Sequence, residues 1–200
     1  MLFPSAYFGA IPYFQELAQH NNVAIDYAER FQKQTWRSRT EILTGNGPLI
    51  LSIPTKRPYG KETTMADVEI VYDKDWRKDH WKAIESAYMH APFYFYYGQQ
   101  IEAFYHTKPT LLVEWNKAIF TQLIKWLDLD TQLEINTKNT PFDKHNDLRI
   151  LLNNKKWNNH PQKKYIQVFS DKLPFHSNLS ILDLLMNEGP LARKYLFQGE

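Results

Sequence analysis

Leu2-Phe3-Pro4-Ser5-Ala6-Tyr7-Phe8, then Ile11-Pro12-Tyr13-Phe14-Gln15-Glu16-Leu17-Ala18, then Val23-Ala24-Ile25 is the stretch that decides the fold. The first run reads as a short apolar strand broken at Pro4. Pro12 sits in the first turn of a helix, where its missing N–H is harmless, and Ile11, Phe14, Leu17 and Ala18 share one face of it. The helix ends near Asn21-Asn22, and the continuous apolar run Val23 to Ile25 predicts a strand buried on both sides. Strand, helix and strand in so short a span predict a parallel crossover unit. Ligands of such sheets bind beyond the carboxyl ends of the strands, which here lead into Ser5 to Gly9 and Asp26 to Arg39.

The second of these segments carries Arg30-Phe31-Gln32-Lys33-Gln34-Thr35-Trp36-Arg37-Ser38-Arg39, with four cations, two primary amides, two aromatics and no carboxylate. Guanidinium groups grip phosphate or carboxylate through paired donors, amides offer one donor and one acceptor face, and a Trp plane stacks. A solvated basic hairpin whose Phe31 and Trp36 pack down fits the same residues. Both readings stay open on sequence alone.

Outward from this cluster, Ser38 to Leu43 and Leu49 to Ile53 predict a strand pair joined by Gly45-Asn46-Gly47-Pro48. Arg37 and Arg39 would point the same way if the strand already begins there. Residues 55 to 65 read as a polar loop, a lid or a disordered stretch, and Val68 to Tyr72 as a further strand. A helix is predicted from Asp75 to about His90, with Trp81, Ile84 and Tyr88 on one stripe and Trp76 and His80 on the adjoining one. His80 is a candidate general base, because a neutral imidazole titrates near working pH; a packed or capping histidine is the plainer alternative. Pro92 to Tyr97 is too densely aromatic to classify. Ile101, Phe104 and Tyr105 mark a short helix, and Leu112, Trp115, Ile119, Leu123 and Trp126 a long amphipathic one. Leu133 to Ile135 and Tyr165 to Phe169 read as strands, with an irregular segment at 137–163 between them. Ser180 and Asp183 have the spacing of a capping box at the start of a last helix, which Asn187, Gly189 and Pro190 end.

Composition narrows the function classes. A length of 200 residues fits one domain, and a net charge of +2 with dispersed basic residues argues against a nucleic-acid partner. There are no cysteines, which removes disulfides and thiolate chemistry. No signal peptide and no membrane-spanning run is legible, so the expected location is the cytoplasm. The dinucleotide fingerprint, the phosphate loop, the nucleophile elbow and the usual histidine metal spacings are missing, so neither a cofactor nor a metal is expected. Asp73 and Asp75 near Asp79 make a small acidic cluster, but the first two read better as helix N-terminal capping and dipole residues than as a magnesium site. Aromatics at 15% leave room for a homodimer surface that composition does not locate.

Several segments carry a resemblance. Pro4 to Gly9 with Ile11 to Phe14, Gln32 to Arg39 followed by Asn46-Gly47-Pro48, Tyr88-x-x-Ala91-Pro92-Phe93, and Leu179 to Asn187 together resemble the WbqC-like family of bacterial proteins. The resemblance implies a role in the making of O-antigen and other surface polysaccharides, with transfer of a glycyl or related acyl group to a sugar amine. It implies candidate site residues at the motif positions, among them Tyr7, Asp183 and Asn187, without roles.

The expected fold is therefore a mixed α/β domain, its sheet partly parallel, with an antiparallel hairpin and helices packed on it. The expected activity is transfer of an acyl or aminoacyl group to a nucleotide-linked amino sugar, with a non-catalytic sugar-phosphate or protein-binding module as the alternative. In the first case Arg37 and Arg39 would clamp phosphate and Lys33 would neutralise developing charge. Gln32 and Gln34 would orient the substrate, Trp36 would stack on it, and His80 would take the amine proton.

Overall fold

The computed structural model describes residues 1–138, 147–149 and 162–197. Its first three elements are strand β1 (Leu2–Pro4), helix α1 (Ile11–Leu17) and strand β2 (Asn22–Asp26), with β1 and β2 parallel and Leu2 beside Ala24. Pro12 lies in the first turn of α1, and Ile11, Phe14 and Leu17 are wholly buried. Each such side chain contributes about 1.5–3 kcal/mol by leaving water. Strand β7 (Gln132–Asn136) joins the far side of β2, also parallel, so the order is β1-β2-β7. Asp147 bridges to Leu2 on the outer side of β1.

Between β2 and β7 come two small antiparallel ladders. Strand β3 (Arg39–Thr44) pairs with β4 (Gly47–Ser52), and β5 (Thr55–Lys56) with β6 (Glu69–Ile70). The β3–β4 loop is Gly45-Asn46, one step earlier than the Asn-Gly dipeptide suggests, and Gly47 takes the positive φ of +104° at the start of β4. Pro48 is accommodated because, among the described residues, β4 has no partner on its other side. The polar stretch 55–65 is organised by β5 and a 3-10 turn at Gly60–Glu62, and Phe31 N–H donates to the Thr63 carbonyl at 2.9 Å.

Helices α2 (Trp76–Tyr88) and α3 (Tyr94–His106) form a hairpin, and α4 (Leu112–Trp126) leads into β7. The aromatic run and the short helix expected around Ile101 are one helix, α3, with Tyr97, Ile101 and Tyr105 on its buried side. In α2 the inward stripe is Trp76, His80, Ile84 and Ala87 with Tyr88, whereas Trp81 is half-exposed. A shift of one position around the helix separates it from the stripe expected through Trp81.

Two expectations near the C-terminus are corrected. Residues 165–169 form no strand: Tyr165 and Gln167 point inward and Ile166 is 78% exposed, so the alternation exists, but side-chain hydrogen bonds replace a ladder. Helix α5 (Ile181–Glu188) is capped by Ser180, whose hydroxyl accepts from Leu182 N–H at 3.3 Å, while the Asp183 carboxylate turns into the core instead of completing a capping box. Gly189 ends α5 with a φ of +55°, and a Cβ there would lie 2.4 Å from the Phe93 ring, so both conformation and space require glycine. Most of the segment 137–163 lies outside the described residues. Among the described residues no helix is long and apolar enough to cross a membrane.

Candidate functional site

The loop leaving β1 is fixed by the elements around it. Tyr7 N–H donates to the Trp36 carbonyl at 3.0 Å, and Asn116 of α4 donates to Ser5 Oγ at 3.0 Å and to the Arg37 carbonyl at 2.9 Å. Phe8 has a φ of +45°, and its carbonyl accepts from the hydroxyls of Ser180 and Thr40 at 2.9 and 3.3 Å. Those bonds supply the stabilisation a bulky side chain in the left-handed region needs.

The segment leaving β2 does not form one cationic surface. Arg37 is wholly buried, and its Nε and Nη2 donate to both carboxylate oxygens of Glu29 at 2.7 and 2.6 Å. Burial raises the Glu29 pKa, and Arg37 pulls it back down. Arg39 opens β3, half-exposed, and donates to Ser52 Oγ at 2.9 Å, so the two guanidiniums expected to work side by side are separated. Gln32, Lys33 and Gln34 are exposed on the intervening turn, Gln34 with a φ of +60°, and Trp36 is half-buried. The turn keeps its amides and its lysine in solvent while Phe31 and Thr35 are buried beneath it. Beside the Glu29–Arg37 pair, Arg149 joins Asp26 at 2.7 Å and Asp147 at 2.5 Å. Asp26 also accepts from Ala28 N–H and from Asn136.

His80 and Tyr7 meet. Tyr7 Oη lies 3.0 Å from His80 Nδ1 and 2.5 Å from Tyr105 Oη, and Trp76 and Trp115 surround these rings. Burial lowers the His80 pKa to about 4, against the smaller opposing effects of Asp79 and of a hydrogen bond with the Ser52 backbone. The ring is therefore neutral at pH 7. With its proton on Nε2, Nδ1 accepts from the Tyr7 hydroxyl, and that hydroxyl accepts from Tyr105. Burial raises the pKa of both tyrosines, so both stay protonated.

Tyr105 also lines a groove of about 460 Å³ between α2 and α3. Arg77 marks one end, where it donates to the Thr107 carbonyl at 2.7 Å, and Glu85 marks the other, beside Tyr94. Lys78, Lys82 and the half-exposed Trp81 lie between, with Glu102 opposite on α3. Asp75 and His106 complete the lining, so the groove offers cations to an anionic group, carboxylates to an amine and an indole plane to a ring. Tyr105 and the groove carried no local sequence signal, although the buried spacing Tyr97, Ile101, Tyr105 marks the face that turns inward.

Asp183 and Asn187 lie in a separate buried knot. Asp183 accepts from Tyr165 Oη at 2.6 Å and from Gln167 Nε2 at 3.0 Å, and burial raises its pKa. Asn187 donates to the Asp183 carbonyl at 2.8 Å. Neither lines the groove.

A family model described as the WbqC-like protein family matches residues 5–158 of the chain. Comparison with curated proteins and with solved structures returned no match.

Proposed function

Because the chain belongs to the WbqC-like protein family, we propose that it transfers an acyl or aminoacyl group to a nucleotide-linked amino sugar used for polysaccharide, with the groove between α2 and α3 as the acceptor site. The observation that carries this reading is the continuity of the groove with a neutral base: Tyr105 lines the groove, and its hydroxyl reaches His80 through Tyr7. In the proposed reaction the phosphate end of the acceptor meets Arg77, Lys78 and Lys82, its ring lies on Trp81, and its amine faces Glu85 and Glu102. The amine attacks the donor carbonyl carbon, and a C–N bond forms as the carbonyl π pair moves to oxygen. The nitrogen now carries a surplus proton that must leave before the adduct can collapse to the amide. That proton passes to Tyr105 as the Tyr105 proton moves to Tyr7 and the Tyr7 proton to His80 Nδ1. The oxygen pair then returns, the bond to the donor's leaving group breaks, and that group takes up the proton held by His80.

A binding module without catalysis is the second reading, favoured by the burial of Tyr7, His80 and Tyr105, none more than 6% exposed. The experiment is incubation of the chain with nucleotide-linked amino sugars and acyl thioesters or aminoacyl donors, with the N-acylated product read by mass. Product is expected from the wild type, and Tyr105→Phe and His80→Gln should lower its rate by about 10²–10⁴-fold, the usual worth of acid–base catalysis. Thermal stabilisation by the amino sugar without product from any donor, unchanged in Tyr105→Phe, would establish the binding module instead.

A further inference from the structure

We infer that the cleft at the carboxyl ends of β2 and β7 is a second binding site, for an uncharged carbohydrate ring. The cleft measures about 300 Å³, the lower end of the range of ligand pockets, roughly 300–1,000 Å³. It lies where parallel sheets place ligands. Hydrogen bonds brace its walls: Tyr27 N–H donates to the Asn136 carbonyl at 2.8 Å, Ala66 N–H donates to the Tyr27 carbonyl at 2.9 Å, and the Asp26 carboxylate accepts from both Ala28 N–H and Asn136. Ala28 and Ala66 line the cleft together with Tyr27. The Tyr27 hydroxyl donates to the Val113 carbonyl at 3.3 Å, so the part of this side chain that lines the cleft offers a ring surface rather than a free hydroxyl.

The charge pattern selects the ligand. Arg30 and Glu62 pair across the cleft at 2.5 Å with side chains 71% and 66% exposed, and Thr64 and Thr137 complete the lining. An anion drawn to Arg30 meets Glu62, with Asp67 held close by Thr64 at 2.6 Å. A cation drawn to Glu62 meets Arg30. Vicinal hydroxyls use both partners at once, accepting from the guanidinium and donating to the carboxylate, without breaking the pair. The cleft shares no lining residue with the α2–α3 groove, so it stands whether or not the groove binds an amino sugar.

The test is saturation-transfer NMR of the whole chain with the methyl glycosides of glucose, galactose and mannose at millimolar concentration. At least one glycoside should receive saturation from the wild type. Arg30→Ala and Glu62→Ala, both at exposed positions and checked for an unchanged melting temperature, should each weaken that binding about tenfold, the loss of one charge-assisted contact. Trp81→Ala in the groove should leave it intact. Absence of transfer to every glycoside, transfer insensitive to Arg30→Ala and Glu62→Ala, or transfer lost in Trp81→Ala would each overturn the assignment. Transfer to free glycine in preference to the glycosides would overturn it in favour of a zwitterion site.

Discussion

Arg37 beneath the carboxyl edge of the sheet and Arg77 on the wall of the groove are the same side chain under two regimes. Arg37 has no solvent exposure and both of its forked donors lie on Glu29, while Arg77 spends one donor on a backbone carbonyl and remains half-exposed on the groove wall. Taking two ions out of water costs several kcal/mol each, and a close bidentate pair offsets that only while both partners stay in place. The first arrangement holds the segment after β2 in position. The second leaves its field available to a ligand.

The largest way to break this comparison is to remove one partner of the buried pair. Arg37→Met leaves Glu29 buried without its counter-ion and should cost about 3–5 kcal/mol in urea unfolding, whereas the double variant Arg37→Met/Glu29→Leu should recover most of it. A single variant within about 1 kcal/mol of the wild type would mean that water reaches Glu29 and that the pair does not hold the segment.

His80 sharpens the comparison, because it is buried like Arg37 yet carries no charge. Its folded pKa of about 4 lies below the unfolded value of 6.5. The unfolded chain therefore binds more protons in that window, and the stability His80 contributes is fully present above pH 6.5 and lost as pH falls through about 4. A shift of this size corresponds to about 3 kcal/mol. Glu29 and Asp183, whose values are raised, act in the opposite sense: their contribution is present at low pH and fades as pH rises. The wild-type curve sums these effects, so the measurement is the difference between wild type and His80→Gln from pH 7 to pH 4. That difference should shrink as pH falls. A difference independent of pH would mean that the ring already titrates near its ordinary value.

What the sequence disclosed follows the distance between partners. The β1-α1-β2 unit and the β3–β4 hairpin are local, and their periodicity and turn residues are enough to draw them. The basic cluster was readable as composition, but its meaning turned on Glu29, one residue before the carboxylate-free stretch begins, and on the chain folding back so that Glu29 faces Arg37. Tyr7 and Tyr105 are 98 residues apart, and no spacing rule joins them. At Ser180 and Asp183 a local rule matched and was overridden, because Tyr165 and Gln167 offer two donors to a carboxylate that burial would otherwise leave unpaired.

The smallest effect on stability is expected in the groove, and it is the one that bears on function. Lys78→Ala and Lys82→Ala each remove an exposed cation, and such surface changes stay within about ±0.5 kcal/mol. If the exposed cations of the groove hold the phosphate of a ligand, the same substitutions should weaken binding of a nucleotide-linked amino sugar about tenfold, more at low salt than at high, because exposed charges are screened over roughly 8–10 Å. Titration calorimetry at two ionic strengths measures both quantities. Equal affinity in wild type and variants would place the phosphate elsewhere. The exposed turn with Gln32, Lys33 and Gln34 is then the next surface to test, since its side chains also face solvent while the arginine behind them is neutralised inside the fold.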